Sequence, residues 1–596
     1  MLDASSSSRS PRSSGRRALV VLIVLVALTL PASRYLTRLA DFGVSPANDY
    51  FPTVDLLRDG TSWSSDPMDW FFVQSNEHRC LIPALVYRVS AAFFDGDNRA
   101  HGAWGLLMMT VTALALLSLL PASWRDRPWA VAPAAAVIGV FAYPPLAAHN
   151  IALGFSGVMW LTANALVLSA VALVHNFPRS NKALLAAAGL GVCAHYTYSS
   201  GLMVWPTLLF VLIVQGQGRR RIGLVAGLAV GLVALSVFGY KTPAGHPELN
   251  PGTNLRLLLR YASVYMGSPF FEDEGAADVM GNLAMGAAAL SLMLGASVAG
   301  GRRRRLVLAP WWAVFFYALV NIVGTGVGRS GFGAAQALAS RYGSISGLFW
   351  IGILVPPVVL SLERIRSDNS LRTAWVSTAW LLFFVCLTHP VQERGGIMLD
   401  KFVERASFQP VAFALLDREI PDPSLLKNLT ARPDQLWKMR DFLKAQGLAP
   451  FHRRPEPWPE GTIALGATYD ALGSLESAFA VPEGWVRLSG WVHHPDREIA
   501  EIHVADAKGE ILGRVIHGTS RVDRTFEFGP QVRRSGFFAY VKASTHEVVP
   551  RIFLRLEGDD RFSELPWRRG YELRWSEANC ESLSTADVSP FEPRSR

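Results

Sequence analysis

The feature that most limits what this chain can become is a succession of apolar windows about 20 residues long, the length a helix needs to cross roughly 30 Å of hydrocarbon. After a first run from Ala18 to Leu30, which ends at Pro31, windows fall near 101–120, 129–147, 152–174, 183–198, 200–215, 222–240, 281–299, 306–324, 344–361 and 373–389. About eleven transmembrane helices are expected. With 50% hydrophobic and only 18% charged residues over 596 positions, the chain is too apolar for a soluble globular protein. Its solvent is the lipid bilayer.

The basic residues between the windows give the orientation. Arg9, Arg12, Arg16 and Arg17, then Arg125 and Arg127, Arg179 and Lys182, Arg219 to Arg221, Arg302 to Arg305, and Arg364, Arg366 and Arg372 fall on one side if the spans are right. Positive residues stay inside, so this alternation predicts a cytoplasmic N-terminus and, with an odd number of crossings, an external C-terminus. The same clusters account for the net charge of +9. No nucleic-acid partner is therefore expected. Four cysteines at 80, 193, 386 and 580 show no metal or redox spacing. Cys80 and Cys580 would share the outer side, where a disulfide can form.

The expected organisation follows. Residues 1–17 form a disordered tail, 18–389 the membrane module with a first outer loop at 34–100, and 390–459 a helical linker. From about 460 to 575 the hydrophobic period falls to two, as in Val486-Arg487-Leu488-Ser489-Gly490-Trp491-Val492. Gly, Asp and Pro separate the runs, so an extracytoplasmic β-sandwich of seven to nine strands is expected. Trp485, Trp491 and Trp567 are either its exposed glycan contacts or its core. Residues 576–596 form a C-terminal tail.

The unusual polar residues collect on the outer side. Asp49, in Pro46-Ala47-Asn48-Asp49-Tyr50-Phe51, is either a general base or the cap of a helix starting near Pro52. Asn76-Glu77-His78-Arg79 precedes a stripe of Leu81, Ile82, Leu85, Val86, Val89 and Phe93. Read as the opening of an amphipathic interfacial helix, it would aim backbone N–H groups and the Arg79 fork at a phosphate. Read blandly, it is a solvated capping segment. Arg329 and Arg341 flank a Gly-rich loop that either cradles a phosphate or snorkels to lipid headgroups. His149, Asn150 and His195 either line a cavity or hold structure. Asp49, Glu77 and His78 lack metal-ligand spacing, so no metal is expected. Lys241, His246 and Glu248, in the Pro/Gly-rich loop 241–255, can form a mobile cover. No nucleophile elbow or zinc-protease helix motif is present, which weighs against a membrane acyl- or phosphoryl-transferase.

Four strings within residues 18–390 resemble the GT-C superfamily of integral-membrane glycosyltransferases, and more narrowly a bacterial arabinofuranosyltransferase-like branch. They are Asn48-Asp49-Tyr50, Asn76-Glu77-His78-Arg79, His149-Asn150 with Gly154-Phe155, and Gly328-Arg329 through Ser340-Arg341-Tyr342. The resemblance implies transfer of a sugar, such as an arabinofuranose-type pentose, from a polyprenyl-phosphate donor. The acceptor would be a glycan, lipid or protein outside a bacterial inner membrane, and the transfer would invert configuration without a nucleotide or other cofactor. Asp49 would be the base and Arg79, Arg329 or Arg341 would hold the donor phosphate. Asn48, Tyr50, Asn76, His78, His149, Asn150 and Tyr342 would contact substrate. The family often carries two adjacent acids where this chain has Asn48-Asp49. That departure weighs against a metal and leaves the base open between Asp49 and Glu77. The competing reading is a lipid-linked glycan flippase or a non-catalytic polysaccharide-assembly protein. Such a protein would be expected to carry mid-span charge, which these windows almost lack.

Overall fold

The computed structural model describes residues 11–46, 50–241, 255–298, 302–365, 370–427, 429, 433–451, 459–542 and 550–565. They divide into two compact units, Met1–Val403 with Asp441–His452, and Glu404–Arg440 with Arg453–Arg596.

The first unit is helical. It opens with α1 (Pro11–Leu36), α2 (Tyr50–Leu56), a hairpin of β1 (Arg58–Asp59) and β2 (Ser62–Trp63), and α3 (Pro67–Phe71). A second hairpin of β3 (Gln74–Ser75) and β4 (His78–Arg79) leads into α4 (Leu81–Phe94). There follow α5 (Asn98–Ser118), α6 (Pro128–Ala142), α7 (Ala148–Ala152), α8 (Gly154–Asn176), α9 (Asn181–His195), α10 (Ser199–Leu202), α11 (Val204–Val214) and α12 (Arg219–Val237). The last five are α13 (Leu255–Gly267), α14 (Glu274–Val298), α15 (Arg302–Arg329), α16 (Gly343–Glu363) and α17 (Ser370–Ala406). Helix α1 begins inside the stretch expected to be disordered. Pro11 suits a first helical turn, and Arg17 is held by Asp126 at 2.6 Å.

Eight helical stretches among the described residues are long and apolar enough to cross a membrane: Gly15–Asp41, Asn98–Ser118, Pro128–Ala152, Gly154–Asn176, Arg219–Val237, Arg304–Phe332, Ser340–Glu363 and Leu371–Asp417. The expected count was eleven. The eight leave out α9, the Ser199–Val214 stretch and α14. Helix α9 has 15 residues and reaches only about 22 Å at 1.5 Å per residue. Lipid is needed all the same, because α12 exposes Leu224, Val230, Val233 and Val237.

The helical unit has two chemically different ends. At one, Arg17 meets Asp126, Ser123 donates to Glu363 at 2.8 Å, Arg127 donates to the Leu362 and Ile365 carbonyls, and Arg221 donates to the Ser180 carbonyl at 2.7 Å. These are the basic connections that the sequence groups together. At the other lie the start of α8, the end of α15 and the start of α16, with the unusual polar residues around them.

Close helix crossings are set by glycine. A Cβ on Gly267 or Gly281 would collide with backbone of the facing helix, so α13 and α14 pack with their main chains in contact. This crossing turns the buried face of α13, Tyr261 to Gly267, into the unit.

The second unit contains α18 (Gln409–Asp417), α19 (Pro423–Leu426) and the start of α20 (Pro433–Ala445). Its strands are β5 (Leu472–Val481), β6 (Trp485–His493), β7 (Ile499–Ala505), β8 (Ile511–Thr519), β9 (Gly536–Lys542), β10 (Arg551–Leu556) and β11 (Ser563–Leu565), with α21 (Val522–Phe528) before β9. They form one antiparallel sheet in the order β11-β10-β7-β8-β9-β6-β5. The expected two-sheet sandwich is replaced by one sheet curled on itself. A Cβ on Gly473 of β5 would lie 3.2 Å from the Leu565 side chain of β11. The inward positions Val486, Leu488, Phe537, Ala539, Val541, Ile552, Leu554 and Leu556 fill the interior.

The expected linker 390–459 is shared between the units. Residues 404–440 belong with the sheet, whereas 441–452 return to the helices, where Phe442 packs edge-on against Trp63 at 5.4 Å and the Ala449 amide donates to the Asp95 carbonyl. Within the sheet unit, Asp422 is buried and caps α19. It accepts from Arg487 at 2.7 Å and from the Tyr540 hydroxyl at 2.9 Å. Trp491 is buried against Phe528, Trp485 lies under the Lys542 ammonium, and Trp567 lies outside the described residues. Cys80 is buried with its thiol directed to the His78 carbonyl, and Cys580 lies outside the described residues.

Breaking a buried ion pair by removing one partner leaves the other charge uncompensated. Asp422→Ala is expected to destabilise the sheet unit by about 3 kcal/mol. Arg17→Ala, at an exposed pair, should leave the melting temperature nearly unchanged. Thermal unfolding of the two variants in detergent checks the contrast.

Candidate active site

The Asn76-Glu77-His78-Arg79 string does not open a helix. Ser75 pairs with His78 and Gln74 with Arg79, so Asn76 and Glu77 are the two-residue turn of a hairpin. Asn76 takes the left-handed backbone at φ 50°, which asparagine tolerates well. Gln74 braces the turn, its amide donating to the Asn76 carbonyl at 2.7 Å and to the Lys241 carbonyl at 2.6 Å. The interfacial helix α4 starts only at Leu81, and its Ile82 amide donates to the Tyr196 carbonyl. The expected anion site at its first turn is therefore corrected. Two residues at a β-turn displace the helix that the downstream apolar stripe suggests.

Arg79 is buried and its donors are directed to main chain. They reach the carbonyls of Phe72, Ser236 at 3.2 Å and Phe238 at 2.6 Å, with the Phe72 ring 5.5 Å beneath the guanidinium. Burial lowers its pKa, and the group remains a cation. Arg79 thus fastens the hairpin to the end of α12.

Glu77 forms an ion pair with Arg329, and His78 Nε2 lies 3.4 Å from the same carboxylate oxygen. Both members of the pair are about three-quarters covered, with side-chain exposures of 26% and 21%. Burial alone would raise the Glu77 pKa, but His78 and Arg329 outweigh it and hold the carboxyl below its ordinary range. The His78 ring lies against Tyr198, with centroids 3.7 Å apart.

Asn150 joins two strings that are far apart in sequence. Its Nδ2 donates to the Arg341 carbonyl at 3.1 Å, while its Oδ1 accepts from Ser156 at 2.7 Å. Tyr342 is consequently buried, stacked on Tyr265 at 5.0 Å and set edge-on to Trp160 at 5.7 Å. The half-buried Arg341 guanidinium stands 5.2 Å from the Tyr342 ring. A wall of rings continues from His78 through Tyr198, Trp160 and Tyr342 to Tyr265.

The structure therefore brings together Glu77, His78, Arg329, Arg341, Asn150 and Tyr342 at one end of the helical unit. It sends others elsewhere. Tyr50 is buried against Tyr87 and His101, His149 faces Phe402 at 5.6 Å, and His195 is held between Trp205 and Ser236. Asn48 and Asp49 lie outside the described residues, as do His246 and Glu248. Trp160 and Tyr265 were not singled out from sequence, because aromatic rings in apolar stretches read as packing. Among the described residues no three His, Cys, Asp or Glu side chains group as metal ligands.

The arrangement joins a carboxylate pinned by arginine, a second half-buried arginine and an aromatic wall, all at one end of a lipid-solvated bundle. The fold and site define a polytopic helical membrane protein with a charged, aromatic-walled site at one end and a C-terminal antiparallel β unit. No known family profile matches the sequence, and no curated protein matches it. Among solved structures the chain is similar to ArnT from Cupriavidus metallidurans in the apo state, with 16% identity, a TM-score of 0.34, and 73% of this chain and 76% of that chain covered. ArnT from the same organism bound to undecaprenyl phosphate gives 15% identity and a TM-score of 0.35 over the same shares.

A carboxyl whose pKa is lowered on folding contributes stability that is present above its unfolded value and lost as pH falls through the folded one. Glu77 should therefore stabilise the protein at pH 7 and lose that contribution progressively as the pH falls below the ordinary carboxyl range. Melting curves at pH 7 and pH 3.5 are expected to show a smaller acid-induced drop in Glu77→Gln than in the parent.

Proposed function

We propose that this chain is a GT-C-type membrane glycosyltransferase that moves a sugar, in the narrower reading an arabinofuranose-type pentose, from polyprenyl phosphate to a glycan, lipid or protein acceptor. The observation that carries this reading is the convergence of Glu77, Arg329 and Arg341 at the end of the helical unit away from the basic connections. By the positive-inside rule that end is external to a bacterial inner membrane, with the N-terminus cytoplasmic and the β unit outside. A lipid-phosphate sugar presents its scissile bond at headgroup depth. Charges placed there meet it without crossing hydrocarbon.

In the proposed reaction Asp49 takes the proton of the acceptor hydroxyl as its oxygen bonds to the anomeric carbon. The bond from that carbon to the phosphate oxygen breaks, and configuration inverts. Polyprenyl phosphate leaves with one more negative charge. Arg341 and Arg329 offset this charge, Arg329 being oriented by Glu77. Arg79, with its donors on carbonyls, holds the hairpin that carries Glu77 and His78.

Preorganised charges of this kind are worth on the order of 100-fold in rate. Asp49→Asn and Arg341→Ala should each lower transfer from a radiolabelled polyprenyl-phosphate pentose by at least about that factor, with folding in detergent retained. Arg341→Lys should recover part of the loss, since the charge persists without the fork. Unchanged transfer by Asp49→Asn would remove the base from the mechanism.

A further inference from the structure

Beneath the Glu77–Arg329 pair lies a group of rings that the mechanism above does not use. Tyr265 is at its centre, wholly buried on α13, with Tyr342 stacked on it and Tyr198, Tyr261 and Tyr317 within electrostatic range. The Tyr317 hydroxyl donates to Asn164 at 2.8 Å, whereas the Tyr265 hydroxyl finds no hydrogen-bond partner among the described residues. Buried phenol hydroxyls ordinarily find a partner, because leaving one unmade costs free energy. Ser344, two residues beyond Tyr342, is another buried hydroxyl with no partner among the described residues. The rings reach the charged residues through Tyr198 and His78, so the orphan hydroxyl lies on a continuous aromatic path from the proposed phosphate position.

Resting on the glycosyltransferase reading, we propose that Tyr265 and Tyr342 form the subsite for the donor's sugar, and that this sugar is an uncharged pentose or hexose. A polyol supplies the acceptors and donors that a lone phenol lacks, and its C–H faces pack on aromatic rings. The neutrality follows from what surrounds the subsite, which is tyrosine, tryptophan, asparagine and serine, while the Arg341 guanidinium 5.2 Å from the Tyr342 ring is assigned to the donor phosphate. A buried ammonium would need a carboxylate, and the near one, Glu77, is already shared between Arg329 and His78.

Tyr265→Phe removes only the hydroxyl. The full-length protein in detergent is titrated with polyprenyl phosphate, with polyprenyl-phosphate arabinose and glucose, and with a polyprenyl-phosphate aminosugar, while its melting temperature is followed. The parent should respond more strongly to one neutral sugar lipid than to the bare lipid or the aminosugar. Tyr265→Phe should melt at or above the parent temperature without ligand and keep its response to bare lipid. It should bind the preferred sugar lipid at least about tenfold more weakly. A Phe variant that keeps the sugar-dependent increment, or that melts lower without ligand, overturns the subsite, as does an aminosugar lipid bound equally well. A parent protein that responds to no polyprenyl phosphate overturns the glycosyltransferase reading itself.

Discussion

A charge at the edge of a hydrocarbon layer must be matched, and that requirement governs the arrangement of this molecule. Neither Glu77 nor Arg329 could remain three-quarters covered alone, because each would lose more hydration than its surroundings return. Each compensates the other across 252 residues of sequence. The pair joins the β3–β4 hairpin to the far end of α15, and Asn150 makes the parallel connection from α7 to the turn that carries Arg341. Two polar contacts thereby bring four distant stretches to one place. The rest of the helical unit supplies the depth at which they meet.

Much of this was legible in the sequence. Twenty-residue apolar windows and basic connections identify the spans and sort their ends, because hydropathy and charge asymmetry are what the bilayer itself reads. The Asn-Glu-His-Arg string and the Gly-Arg and Ser-Arg-Tyr strings were identifiable as unusual, and several of their members meet. The local shape of the first string was not legible. An apolar stripe four residues downstream implies a helix, whereas the left-handed backbone at Asn76 is a property of a turn. Nor did hydropathy separate true crossings from shorter helices such as α9. The tyrosines around Tyr265 carried no periodic or charge signal, and only packing brings them together.

The C-terminal unit shows a similar limit of pattern reading. Alternation along β6 states that one face is covered. It cannot say whether the cover is a second sheet or the same sheet curling round. Here it is the latter, with β5 and β11 drawn together where Gly473 leaves room. The outward face is covered by polar chemistry as well as by packing, since Asp422 gathers Arg487, Ser424 and Tyr540 around one buried carboxylate.

The attachment of Arg79 to the last carbonyls of α12 has a mechanical meaning. Helix α12 turns a lipid-facing side outward along 19 residues, about 28 Å of rise at 1.5 Å per residue. A bilayer thinner or thicker than this span tilts such a helix at modest cost. The guanidinium that grips its end would carry that tilt to the turn holding Glu77.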